Sequence, residues 1–184
     1  AQLAGGFGGP VALKINSPDI LHKTEAKGVL LNVTGADAVR QGFAQLLNNA
    51  RAYKPDARIE GVLVQEMVPP GAVEVIVGAS VDPQFGPAVV FGLGGILVEL
   101  FKDSSLRLPP VTRAEALDMI GETRGAALLR GYRGRPAADV EALADAICRL
   151  SHLASDFRNE IAAIDVNPLM ILPVGQGVVA ADAL

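Results

Sequence analysis

Apolar residues in this chain fall into short runs bounded by glycine, proline and charge, and their period changes from one run to the next. VALKI at 11–15 and the run from Gly28 to Val33 are short and β-branched, which predicts two strands joined by the loop SPDILHKTEAK as a hairpin-like pair. Asp37 is placed to cap a helix running to about Tyr53, with Ala38, Val39, Phe43, Leu46 and Leu47 as its apolar stripe and KPD as its stop. Ile59 to Met67 returns as a strand. These elements predict a first lobe over residues 1–68, with VPPG at 68–71 as the candidate hinge.

A second lobe is expected over residues 69–184. It opens as a meander of strands at Val73–Ser80, Ala88–Gly92 and Ile96–Leu100, the first two joined by a turn containing DPQFGP. Helices follow at Arg113–Thr123 and Asp139–Asp156, the latter with Val140, Leu143, Ala144, Ile147 and Leu150 on one face. A strand pair, Ile161–Ile171 and Gly177–Ala181, ends the chain, and no internal repeat is evident. At the other end the chain enters its first strand within ten residues, with no helix ahead to cover it, which suggests a fragment or one domain of a longer protein.

Composition sharpens the fold class. Half of the 184 residues are hydrophobic, 4% are aromatic and none is Trp, so the core is built from Val, Leu, Ile and Ala and the class is α+β (α/β). A net charge of −4 without blocks of like charge argues against nucleic acid and anionic membrane as partners, so an anionic ligand must be bound locally. The longest apolar runs are broken by Gly or Pro short of the roughly 20 residues of a membrane span, and no signal peptide is recognisable. The single Cys148, among Ala146, Ile147 and Leu150, reads as a buried helical thiol, and the cytoplasm is the expected compartment.

Several residues carry candidate chemistry. Lys14 alternates with Leu13 and Ile15; inside a strand its ammonium needs an anion, for which a phosphate would serve, whereas on an open face it needs none. His22, Lys23 and Lys27 stand beside Gly28 in a loop that can approach polyphosphate through backbone N–H groups, and neutral imidazole is a nucleophile near neutral pH. Gln65, Glu66 and Met67 end a strand at the hinge, where backbone groups can read an adenine edge; Glu66 or Glu74 can accept from an amino group or a ribose hydroxyl. GLGG at 92–95 lacks the GK(S/T) ending of a P-loop and reads either as a tight turn or as a close approach to a ligand phosphate or a partner segment.

The strongest pattern is IDVNPL at 164–169 followed by AADA at 180–183. Asp165 and Asn167, two apart in a strand, project from one face, and a return through Gly175 and Gly177 brings Asp182 towards them. Few protein oxygens completed by phosphate and water is the donor set that magnesium favours.

With these residues in place, the chain resembles the ATP-grasp domain of NDP-forming acyl-CoA synthetases, which include ADP-forming acetyl-CoA synthetase and are similar to the succinyl-CoA synthetase β subunit. The matching stretches run in order: VALKI, SPDILHK, VLVQEMV, EVIVG, DPQFGP, FGLGG, LRGYRGRP and IDVNPL. The resemblance implies an ATP-grasp fold lacking its usual upstream helix and strand. It implies ATP and Mg2+ as ligands, with Lys14, Lys23, Gln65, Glu66, Met67 and Glu74 around the nucleotide and Asn167, Asp182 and Asp165 at the metal. It further implies transfer of the γ-phosphoryl group to a histidine on a separate domain, then to an acyl acid for capture by CoA; His22 is a second acceptor in some relatives. CoA-binding and phosphohistidine-bearing domains or subunits are therefore the expected partners, in a homo- or hetero-oligomer. Where the family usually has GGV, this chain has Lys27-Gly28-Val29, a stiffer and more basic loop. The alternatives are a ligand-sensing region of a GNAT-type protein acetyltransferase, to which similar segments are fused, and a different ATP-grasp ligase, which generally has glutamate where Asp165 stands.

Overall fold

The computed structural model describes residues 1–94, 103–131 and 134–184. The chain divides into two compact units, Ala1–Met67 and Val68–Leu184.

In the first unit, strand β1 (Val11–Asn16) is central, with β2 (Val29–Val33) and β3 (Gly61–Glu66) antiparallel on either side. Helix α2 (Ala36–Tyr53) covers the face formed by Val11, Leu13 and Ile15, all at most 1% exposed. Alternation in β1 is therefore a division between a helix-covered face and the face that carries Lys14. The helix buries Val39, Gly42, Leu46 and Ala50, while Phe43 remains 46% exposed, against the expected stripe. Contact distance decides this: a Cβ on Gly42 would lie 2.8 Å from the Leu13 Cδ1, so the helix approaches the sheet through its glycine and turns Phe43 outward. The N-cap also differs from expectation. Gly35, at φ 86°, takes that position, and Asp37 sits in the first turn paired with Arg40. A one-turn helix α1 (Gln2–Gly5) does precede β1, and its buried Ala4 packs with Val11, Leu13, Val39 and Leu46.

Among the described residues the second unit has five strands in the order β6-β5-β4-β7-β8, all neighbours antiparallel: β4 (Val73–Asp82), β5 (Gly86–Leu93), β6 (Ser104–Arg107), β7 (Ala163–Ile171) and β8 (Val178–Ala180). Helices α3 (Arg113–Glu122), α4 (Ala126–Leu129) and α5 (Val140–Asp156) accompany it. Val75, Val77, Val89, Phe91, Leu169 and Ile171 share one core with Met119 and Ile120 of α3 and with Leu143, Ala144 and Ile147 of α5. One sheet face is thus covered by helices, and alternate residues point to the other. A capping box starts α3: Thr112 accepts from the Glu115 N–H and Glu115 returns to the Thr112 N–H.

The expected strand at Ile96–Leu100, the Gly95 of the GLGG run and the Tyr132-Arg133 pair of LRGYRGRP lie outside the described residues. Strand β6 escapes a hydrophobicity reading because its inward residues are polar. Ser105 pairs with Phe91 and Arg107 with Val89, so both turn towards the helices, where Glu122 accepts from Ser105 Oγ at 2.5 Å and pairs with Arg107.

Candidate functional site

The metal-type residues of the second unit depend on the pairing of β7. Val166 and Leu169 stand opposite Val77 and Val75 on the helix-covered side, and Asp165 stands opposite Gly78 on the other. Between Leu169 and Val166 the register slips by one, so Asn167 and Pro168 together face Ile76, and their peptide bond is cis. A bulge of this kind re-aims side chains at the edge of a site.

Beyond β8 the chain continues along β7. Leu169 pairs with Ala180 and Val166 bridges Ala183, while the Asn167 N–H donates to the Asp182 carbonyl at 3.0 Å. Asp165 and Leu184 exchange both backbone bonds at 2.9 Å. Asp182 is therefore the cross-strand neighbour of Asn167, and Asp165 lies two residues away on the same face. Asn167 is exposed, and Asp165 and Asp182 are half-buried. Two carboxylates and one amide oxygen form a hard, sparse donor set. Among the described residues no group of three or more His, Cys, Asp or Glu could hold a metal ion, so an all-protein cage is not what this arrangement offers. It suits magnesium, which keeps waters and takes phosphate oxygens.

Glu74 pairs with Met170 and, by alternation along β4, shares the outer face with Gly78. Its carbonyl accepts from the Gly94 N–H at 2.8 Å, and a Cβ on Gly94 would stand 2.9 Å from Glu74 atoms. Gly94 therefore lies in close approach to strand β4.

In the first unit, Lys14 is 7% exposed, on the β1 face away from α2 and opposite Val29 and Leu63. The structure separates the two polar residues that end β3. Gln65 pairs with Ala12 and shares the Lys14 face, whereas Glu66 pairs with Val11, on the helix side, and is exposed. Met67, the residue after β3, is half-buried.

The loop between β1 and β2 is pinned by buried Ile20 and Ala26, and Asp19 accepts from the Arg58 N–H at 2.6 Å. His22 is exposed at its outer side and Lys23 half-buried. The loop closes by donation from Gly28 N–H to the Lys23 carbonyl at 2.7 Å and from Lys27 N–H to the Thr24 carbonyl at 3.0 Å, with Lys27 at φ 49°. This is the hydrogen-bond pattern of a helix C-terminal motif, whose left-handed position normally holds glycine.

One residue with a bearing on this site was read from sequence only as a helix start. Asp139 caps α5, accepting from the Ala142 N–H at 3.2 Å, and its other oxygen accepts from the N–H groups of Gly175 and Gly177 at 2.8 and 3.0 Å. These bonds, the Gly177 one foremost, hold its carboxyl below the usual carboxylate range against the opposing effect of burial. The signal available in sequence was the spacing of Gly175 and Gly177; nothing local connects it to residue 139. Cys148, expected to be buried, is half-buried on α5, and burial pushes its thiol up. Among the described residues no helix is long and apolar enough to cross a membrane.

A family model described as an ATP-grasp domain matches residues 1–184. The chain is 44% identical over 177 residues to the acetate–CoA ligase [ADP-forming] II subunit beta of Pyrococcus furiosus, covering 96% of this chain and 75% of that one. It superposes with a TM-score of 0.91 and 42% identity on a dinucleotide forming acetyl-coenzyme A synthetase 1 of Ca. Korarchaeum cryptofilum, solved with coenzyme A, Ca-AMPCP and HgCl+, covering 99% of this chain and 78% of that one. A second form of that synthetase, with coenzyme A and Mg-AMPPCP and its phosphohistidine segment pointing towards the nucleotide binding site, matches with a TM-score of 0.80 at 39% identity, covering 99% and 78%. Antiparallel sheets, the order of the motifs and these likenesses agree, and the chain belongs to the ATP-grasp domain family, in the branch found in ADP-forming acid–CoA ligases.

Proposed function

We propose that this chain is the nucleotide-handling part of an ADP-forming acid–CoA ligase, in which ATP phosphorylates a histidine, the phosphoryl group passes to an acyl acid, and CoA captures the acyl phosphate as a thioester. The observation that carries this reading is the placement of Asn167 beside Asp182, with Asp165 on the same face of β7. In this reading these three residues hold Mg2+, which neutralises phosphate charge and orients the γ-phosphoryl group when bound.

Lys14 and Lys23 bind phosphate oxygens. Gln65, Glu66 and Met67 line the adenine site, and Glu74 lies near the nucleotide. Transfer proceeds by attack of a histidine nitrogen on the γ-phosphorus as the bond to the β,γ-bridging oxygen breaks and ADP leaves. The carboxylate of the acid then displaces the histidine, and the CoA sulfur displaces phosphate from the acyl carbon. That sequence needs CoA-binding and phosphohistidine-bearing partner domains, a reading supported by the similar Ca. Korarchaeum cryptofilum synthetase, which was solved with coenzyme A and with its phosphohistidine segment pointing towards the nucleotide binding site. The exposure of His22 on the loop between β1 and β2 supports a role as a second phosphoryl acceptor.

The test is nucleotide titration of the assembled synthetase with and without Mg2+, for wild type, Asn167→Ala and Asp182→Ala. Loss of Mg2+-dependent ATP binding and of histidine phosphorylation in both variants is expected. Wild-type behaviour in both would falsify the site assignment. Acid-labile phosphate in His22→Ala, compared with wild type, tests the second acceptor; an unchanged yield removes it.

A further inference from the structure

The proposed metal ligands come from β7 and from the segment that follows β8, and β8 is too short to fix their pairing by its own length. Strand β8 has three residues, and its last partners on β7 are met only after the connection from Leu172 to Gly177 has turned the chain back. Whether Asp182 arrives opposite Asn167 therefore depends on that connection: a slip of one residue would send its side chain to the other face.

Asp139 holds the connection. Its Oδ2 receives both Gly175 and Gly177 N–H groups, at 2.8 and 3.0 Å, and both glycines have φ near +80°, at 81° and 83°. Its own N–H donates to the Leu172 carbonyl at 2.9 Å, and the neighbouring Ala138 bridges Pro173. Its Oδ1 is engaged by Ala142 at the start of α5, a helix rooted in the core through Leu143 and Ile147, each 0% exposed. Asp139 is 8% exposed, so these bonds are made with little competition from water.

We infer that Asp139 is a positioning residue of the magnesium site: by clasping Gly175 and Gly177 to the start of α5, it sets the β7–β8 register that brings Asp182 beside Asn167. The inference rests on the metal assignment proposed above. Loss of a group that orients a metal ligand weakens metal affinity by about tenfold or more.

The experiment measures Mn2+ affinity in the presence of ADP by electron paramagnetic resonance, and the Mg2+ dependence of phosphorylation, in the assembled synthetase. Asp139→Ala is expected to raise the Mn2+ dissociation constant by about tenfold. Asp139→Asn, which keeps one acceptor oxygen, is expected to lie between it and wild type, and it carries the test if the alanine variant does not fold. Thr112→Ala, which removes the capping box of α3, provides a destabilised control expected to keep wild-type Mn2+ affinity. Wild-type Mn2+ affinity in the Asp139 variants, beside a weakened Asn167→Ala, overturns the inference and leaves the metal assignment standing. Unchanged affinity in Asn167→Ala overturns the metal assignment, and this inference with it.

Discussion

Asn167 and Asp182 are cross-strand neighbours, joined by a backbone hydrogen bond of 3.0 Å from the Asn167 N–H to the Asp182 carbonyl. If the two side chains serve one ion, as proposed, their effects are expected not to add. In the assembled synthetase, Asn167→Ala and Asp182→Ala should each weaken Mg2+-dependent ATP binding, and the double variant should lose clearly less than the sum of the two. Full additivity, measured by calorimetric titration, would count against a shared ion.

Gln65 and Glu66 are adjacent in sequence but opposed in the sheet, with Gln65 on the Lys14 face and Glu66 on the α2 side. If Lys14 and Gln65 serve one ligand, Lys14→Met and Gln65→Ala should lower ATP affinity, Lys14→Met by about tenfold or more given the worth of a charge-assisted hydrogen bond. Glu66→Ala should have the smaller effect of the two β3 variants. A larger loss from Glu66→Ala than from Gln65→Ala would mean that the strand-end side chain bends round to the nucleotide despite its register.

Lys27 occupies a left-handed conformation, at φ 49°, that costs most L-residues free energy. The bonds that define this turn are backbone ones, and Asn49 Nδ2 donates to the Lys27 carbonyl at 2.8 Å, so a side-chain change leaves them in place. Lys27→Gly is expected to stabilise the fold by about 0.5–1 kcal/mol, read as a higher urea midpoint at constant m-value. A lower midpoint would show that the lysine side chain contributes more than the backbone loses.

The lowered pKa of Asp139 has a stability consequence with a definite sign. A carboxyl whose folded pKa lies below its unfolded value contributes stability that is fully present above the unfolded value and is lost as pH falls through the folded one. The stability difference between wild type and Asp139→Asn should therefore be constant from neutral pH down to the ordinary carboxylate value of 3.8 and shrink below it. Denaturant titrations across that range measure it; a difference independent of pH to the acid limit would show that the charge of Asp139 plays no part in the clasp.

Strands β1 to β5, helices α2, α3 and α5 and the closing strand pair are legible in the chain because each buries one side, so that apolar spacing repeats at the period of the element. The pairing of Asp165 with Asn167 is equally local, since residues two apart on a strand share a face whatever the rest of the chain does. The ordered set of motifs, more than any single one, identified the family, and the family match extends over residues 1–184.

What only the tertiary structure decided is wherever a long-range contact outweighs local preference. Gly42 displaces Phe43 from the helix stripe because Leu13 lies 2.8 Å from where its Cβ would be. β6 turns polar Ser105 and Arg107 inward because Glu122, on a helix elsewhere in the chain, satisfies them. Asp139 meets Gly175 and Gly177 across 36 and 38 residues, a contact with no periodic signature. The sequence alone determined which oxygens are candidates for a metal, and that Asp165 and Asn167 share a strand face, through residue type and two-residue spacing; the place of Asp182 beside Asn167 belongs to backbone hydrogen bonds that exist only once the sheet has formed.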